Sequence, residues 1–206
     1  MAPNGVSYRP RLILASASPR RHQLLAALGV AAEQRPVDLD ETAEPGETPD
    51  ALVLRLATAK AEAGLADAGG EDRTVVIGAD TVVALDGEIF GKPACPAEAR
   101  CMLSRLSGRR HQIFTGVAVA TAGRTECAVE VANVSFRELD AADIDCYVAT
   151  GEPLDKAGAY AIQGRASLFV NRMEGTYQSA VGLPVVALDV ACSRVGWPLA
   201  TWFGTA

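Results

Sequence analysis

Thr74-Val-Val-Ile-Gly78 sets four β-branched residues in a row, a run that suits a central strand covered on both faces. Arg11-Leu-Ile-Leu-Ala15 is a second short apolar run of the same kind. The stretches between them carry helical signals. Leu24, Leu25 and Leu28 sit at helical spacing behind Ser18, a natural N-cap, and Pro19, a natural first helical residue, with Gly29 as the stop. A strand is expected within Val30 to Leu39. Thr48-Pro49 then repeats the cap-and-proline pair ahead of a helix predicted to reach about Ala63. Helices interleaved with buried strands define an α/β fold.

The remainder of the sheet reads as antiparallel. Strands at Thr81 to Leu85 and Glu88 to Phe90 flank Asp86-Gly87, a strong hairpin signal. Pro96 to Leu106 is helical with Gly108 just beyond. From Gln112 to Arg137 the apolar period becomes two, with a turn at Ala122-Gly123. A short helix over Asp140 to Thr150 is closed by Gly151, strands follow at Tyr160 to Ile162 and Leu168 to Arg172, and Pro184 to about Val195 forms a last helix. There is no repeat, low-complexity tract or linker, so 1–206 is expected to form a single α/β domain with a mixed β-sheet flanked by helices. Its polar leader, 1–10, should be loosely ordered, with the fold beginning at residue 11.

A chain of 206 residues buries enough surface to fold without a disulfide or metal staple. Nineteen Lys and Arg against 25 Asp and Glu leave a net charge of −6, with no basic tract, which argues against duplex nucleic acid as a partner. A small anion held by a local basic cluster stays open. The five cysteines are odd in number and scattered, with no C-x-x-C pair, as expected of reduced thiols in a reducing compartment. No signal-peptide core is present, and no run approaches the roughly 18 apolar residues of a membrane span. The expected location is the cytosol, with no membrane partner.

Three places carry chemistry. In Ser16-Ala-Ser-Pro-Arg-Arg21 a strand turns into a helix, where free backbone N–H groups join the Ser16, Ser18, Arg20 and Arg21 side chains, a combination suited to a phosphate. The same residues also fit an ordinary cap followed by two solvated arginines, and no glycine-rich phosphate loop occurs there. In Gly78-Ala-Asp-Thr81, Asp80 is expected at the C-terminal edge of a buried strand, where open α/β sheets place their ligands. It is a candidate metal ligand or general base, or else a turn aspartate capping the next strand. Finally, Asp40, Glu41, Lys60, Lys92, Asp155 and Lys156 provide point charges for phosphates and carboxylates for Mg²⁺, though each singly reads as a surface charge. His22 and His111 read as structural.

Taken together, these blocks resemble the Maf family. The resemblance rests on Ser16-Ala-Ser-Pro-Arg-Arg21, Arg55-Leu-Ala with Lys60-Ala61, Gly78-Ala-Asp-Thr81, Gly91-Lys-Pro93 and Leu106-Ser-Gly108. Gly151-Glu-Pro-Leu-Asp-Lys-Ala-Gly-Ala-Tyr160, Ile162-Gln-Gly164 and Gly182-Leu-Pro184 continue it in order over about residues 11 to 195. It implies a nucleoside triphosphate pyrophosphatase (a nucleotide diphosphatase), cytoplasmic, homodimeric and dependent on a divalent cation such as Mg²⁺ or Mn²⁺. The implied fold is that of inosine triphosphate pyrophosphatases, with a central substrate cleft. An older description of the family is as inhibitors of septum formation.

Carried over by motif, Asp80 is the proton acceptor, and Arg20, Thr81 and Gln163 are tied to substrate choice. The Ile162-Gln163-Gly164 pattern resembles the dTTP/UTP subfamily rather than the one acting on 7-methyl-GTP. Loop alignment favours Glu41 as the metal-associated carboxylate, with Asp40 and Asp38 left open. Lys60, Lys92 and the two arginines would screen the triphosphate while Asp80 deprotonates the attacking water. Two alternatives stand beside this reading: a regulator of cell division that binds nucleotide without turnover, and a pyrophosphatase for modified purine triphosphates. The tail Gly196 to Ala206 lies outside the resemblance, and its two tryptophans are free to pack on the body or on a partner.

Overall fold

The computed structural model describes residues 9–70 and 73–204. The strands are β1 (Arg11–Leu14), β2 (Glu33–Gln34), β3 (Thr74–Leu85), β4 (Glu88–Phe90), β5 (Arg110–Thr121), β6 (Arg124–Phe136) and β7 (Val170–Glu174). They form one seven-stranded mixed sheet in the order β2-β1-β3-β5-β6-β7, with β4 paired to β3 off that path. Only β1 makes parallel pairs, with β2 and β3. The helices are α1 (Pro19–Ala27), α2 (Pro49–Asp67), α3 (Pro96–Leu106), α4 (Ala141–Ala149), α5 (Tyr177–Val181) and α6 (Val185–Arg194).

Strand β3 organises the molecule. Along one edge it pairs with β5 without interruption from Val76 to Ala84. Along the other its partner changes: β1 covers Thr74 to Ile77, and β4 covers Val83 to Leu85. The intervening residues, Gly78 to Val82, face a gap in the sheet. The strand's period of two sends successive side chains to opposite faces. Val75, Ile77 and Ala79 join Leu25, Leu183 and Leu188 on the α1 and α6 side, while Val82 packs with Leu52 and Leu56 of α2 on the other.

Glycines bring α2 unusually close to the sheet. A Cβ on Gly78 would lie 2.1 Å from the Ala57 carbonyl oxygen, and one on Gly116 would lie 2.3 Å from that of Val53. Backbone therefore rests on backbone, which fixes the height of Lys60, one turn beyond Ala57. A third core under the far end of the sheet is aromatic: His111, Phe136 and Tyr160 meet edge to face, as do Phe136 and Tyr147 with Phe169.

Several expectations need correction. The segments 74–78 and 81–85 are one strand, so Asp80 lies inside β3 rather than at a strand end; what ends beside it is the neighbouring strand β1. Tyr160 to Ile162 is not a strand. Its backbone enters a turn closed by Gly164 N–H donating to the Ala161 carbonyl, and Ala161 N–H donates to a side chain, so no ladder forms. The following strand begins at Val170, after a 3₁₀ segment over Arg165–Phe169. Helix α2 runs past Ala63 to Asp67 because Gly64 sits against the sheet, where a Cβ would meet Val76 at 2.9 Å. Ser18 and Thr48 occupy N-cap positions without side-chain capping bonds, whereas Asp140 completes a capping box on α4.

The tail packs on the body. Trp202 is buried, its Nε1 donating to the Pro10 carbonyl at 2.9 Å, and Phe203 bridges to Val30. Apart from Arg9 and Pro10, the leader lies outside the described residues.

Candidate active site

The gap beside β3 opens into a cleft of about 710 Å³, the size range of small-molecule sites. Ser16, Ser18, Arg20, Arg21, Glu41, Lys60, Asp80, Thr81, Lys92 and Gln163 all line it, so the sequence-predicted residues are brought to one place. The alternation of β3 divides the work: Asp80 turns to the α2 face and Thr81 to the α1 face.

On the α2 face Lys60 reaches Asp80. Its Nζ lies 2.6 Å from Asp80 Oδ1 and 2.6 Å from Glu41 Oε1, while Lys92 Nζ holds Glu41 Oε2 at 3.0 Å. Lys60 and Asp80 are both buried, and their opposite charges offset each other away from water. Partial burial raises the Glu41 carboxyl, but its hydrogen bonds and charge pairing with Lys60 and Lys92 prevail and bring it down to about 2. Of the three carboxylates left open in the acidic loop, Glu41 enters the cleft, and Asp40 turns back to accept from Thr42 N–H at 2.9 Å.

On the α1 face Arg21 is spent on the protein. Its Nε donates to the Gly182 carbonyl at 2.8 Å, Nη1 to Ser16 Oγ at 2.8 Å and Nη2 to Thr81 Oγ1 at 3.1 Å. Burial draws the guanidinium below its ordinary pKa, with the Asp80 charge acting the other way. Ser16 Oγ also accepts from Ser18 N–H at 3.2 Å, so its oxygen ties the turn together. Thr81 pairs directly with Thr115, 3.1 Å between hydroxyl oxygens, and Thr115 donates to the Ser179 carbonyl. Arg20, the preceding residue on α1, lines the same cleft. Burial draws its guanidinium below the ordinary pKa, with Asp155, Tyr147 and Glu152 acting the other way. Lys156 pairs with Asp155 there, and Gly158 N–H donates to the Gly91 carbonyl, joining this loop to that of Lys92.

Among the described residues no three His, Cys, Asp or Glu side chains converge as a metal cage. Glu41 and Asp80 supply two carboxylates around one ammonium. That donor set suits a Mg²⁺-type ion whose other ligands are waters and substrate phosphate oxygens, and does not suit an all-protein site. His111 is buried, with Nε2 2.8 Å from the Tyr160 hydroxyl, and serves the aromatic core. Residues that the sequence did not single out are Thr115 and the pair Tyr147 and Glu152. Thr115 is betrayed only by its register opposite Thr81, which requires knowing the strand pairing.

Residues 11–194 match the family model described as Maf-like protein. The chain belongs to the Maf-like family. Two relatives of this Maf-like chain are proteins named dTTP/UTP pyrophosphatase. The one from Anaeromyxobacter dehalogenans (strain 2CP-C) is 50% identical over 194 residues, covering 92% of this chain and 96% of its own. That from Chromobacterium violaceum is 44% identical over 191 residues, with coverage of 92% and 96%. A solved structure, the nucleoside-triphosphatase / dITP/XTP pyrophosphatase from Mycobacterium abscessus, is a loose likeness. It has a TM-score of 0.45 and 16% identity over 90% of this chain and 94% of that one. No helix among the described residues is long and apolar enough to cross a membrane.

Proposed function

We propose that this Maf-like protein hydrolyses dTTP and UTP between the α- and β-phosphates, releasing the nucleoside monophosphate and pyrophosphate. The observation that carries the reading is Asp80, a buried carboxylate in a cleft that Arg20, Lys60 and Lys92 also line, held by Lys60 through one oxygen only. A carboxylate facing a triphosphate opposes binding unless it holds a metal or activates water, so a site built only to bind would not keep it. The relatives' name adds the substrate class.

In this mechanism Arg20, Lys60 and Lys92 spread positive charge along the polyphosphate, and the Ser16 to Arg21 turn presents the N-terminal amides of α1. Asp80 Oδ2 accepts a proton from water as its oxygen bonds to Pα. The bond from Pα to the bridging oxygen breaks, and that oxygen leaves with pyrophosphate. Lys60 holds Asp80 Oδ1 and so fixes the direction of the free oxygen. Arg21 keeps the turn docked against Thr81 and Gly182 rather than meeting the substrate first. A divalent cation held by Glu41, Asp80 and the phosphates would neutralise the leaving group. At the far rim Gln163, exposed in its turn, offers a donor and an acceptor to a uracil or thymine edge. A cytoplasmic homodimer is part of the same proposal, supported by the family resemblance.

A nucleotide panel with product identification tests the reading. UTP and dTTP should give the monophosphate and pyrophosphate with higher kcat/KM than ATP, GTP or 7-methyl-GTP. Release of inorganic phosphate would discard the cleavage position. Binding without turnover would favour the regulator, and equal use of purines would discard the base preference.

A further inference from the structure

Gln163 occupies the third position of the turn Ala161 to Gly164, and this turn belongs to no helix or strand. Its two ends are nevertheless fastened to the same relay. Ala161 N–H donates to the Tyr147 hydroxyl at 3.1 Å, that hydroxyl donates to Glu152 Oε1 at 3.0 Å, and the same oxygen accepts from Arg165 N–H at 2.9 Å. The Arg165 guanidinium lies 3.8 Å from the other carboxylate oxygen. Gly164 makes room for the arrangement, since a Cβ there would fall 2.3 Å from Glu152 Oε1.

The relay has a rigid mount. Tyr147 is buried on α4, its ring edge-on to Phe169 with centroids 5.2 Å apart, and burial keeps its phenol protonated by raising its pKa. Thr150 Oγ1 donates to the Tyr147 carbonyl at 2.7 Å and accepts from Glu152 N–H at 3.2 Å, which joins the end of α4 to the Glu152 backbone. Tyr147, Thr150, Glu152 and Phe169 do not line the cleft.

We infer that Tyr147 and Glu152 are positioning residues that set the nucleobase preference by holding the Gln163 turn in register with the substrate; this rests on Gln163 reading the base. An amide discriminates between bases only while its donor and acceptor are held in place. A loosened turn no longer holds the amide against the matching pyrimidine edge, so the pyrimidines lose their bonds and the difference between bases shrinks.

The test measures kcat and KM for UTP, dTTP, ATP and GTP in Glu152→Ala, Glu152→Gln, Tyr147→Phe and Gln163→Ala. Glu152→Ala and Tyr147→Phe should each lower the UTP-to-GTP ratio of kcat/KM by about tenfold, through a higher KM for the pyrimidines, with kcat within about twofold of the starting protein. Glu152→Gln should keep the ratio, because its amide oxygen accepts the same two bonds. If Glu152→Ala does not fold, Tyr147→Phe decides, since it removes a single oxygen. An unchanged ratio in the Tyr147 and Glu152→Ala variants, with a lowered one in Gln163→Ala, overturns the positioning role alone. A uniform fall across all four nucleotides also overturns it. An unchanged ratio in Gln163→Ala removes the base-reading turn itself.

Discussion

The two ends of the cleft are built by different means. At the phosphate end the buried working side chains stand on regular elements. Asp80 sits within a twelve-residue strand, Lys60 on a helix pressed backbone to backbone on that strand, and Arg21 in a socket of three acceptors. At the base end Gln163, itself exposed, rides a turn outside the regular elements whose ends are tied by hydrogen bonds of about 1 kcal/mol each. Placement by packing resists change, whereas placement by a few hydrogen bonds is readily retuned. In the proposed mechanism catalysis is thus anchored where the fold is least negotiable, and specificity where substitutions are tolerated.

That contrast can be broken experimentally, beginning with the phosphate end. Excess chelator should reduce turnover to background, because Glu41 and Asp80 then face the triphosphate without a bridging cation; full activity would show that lysine and arginine suffice. Asp80→Asn should lower kcat by about two to four decades while UTP still binds, as tightly or more so in a calorimetric titration. A variant keeping most of its pyrophosphate release would move the base to Glu41.

Acid should distinguish the ends in the opposite sense. Burial pushes the His111 imidazole down to about 4 from an ordinary value of 6.5. The unfolded chain therefore takes up that proton first as pH falls, and stability is lost between about 6.5 and 4. Urea titrations should show about 2 kcal/mol less stability from this group at pH 5 than at pH 7. His111→Gln should lose this part of the slope between pH 7 and 5. Glu41, already low, stays ionised there, so its pairing with Lys60 and Lys92 holds while the aromatic support of the base end weakens. An identical slope in His111→Gln would assign the acid sensitivity elsewhere.

The smallest effect expected is at the junction of the two ends. Arg20→Ala should lower kcat/KM about tenfold, equivalent to about 1.4 kcal/mol, because one cation is removed from the polyphosphate path. Unchanged kinetics would return Arg20 to the solvent.

How much of this was legible depended on whether local pattern or long-range pairing fixed the residue. The hairpin of β5 and β6 and the helix α3 were readable because period and turn chemistry are local. The β3 strand was broken in the reading because Gly78 and Asp80 interrupt an apolar run. Both interruptions come from partners distant in sequence, the α2 backbone against Gly78 and Lys60 against Asp80. Arg20 and Arg21 looked equivalent until the helix turned one inward. Tyr160 to Ile162 has strand-like composition, but its backbone bonds are taken by the turn at Gly164 and by the Tyr147 hydroxyl, and α5, five residues long, carries too little periodicity to stand out. The family resemblance gathered the cleft residues before geometry did, and Tyr147, which lies outside the blocks carrying it, was the part it left unseen.

The change of partner along β3 also makes that strand a ruler. From Ile77, the last residue against β1, to Val83, the first against β4, six residues at roughly 3.3 Å each hold the two walls about 20 Å apart. Continuous pairing with β5 stiffens this span, so the walls do not hinge without tearing ladder bonds. A nucleotide is therefore measured against a fixed length, and any adjustment to it falls to the turns that carry Glu41, Lys92 and Gln163.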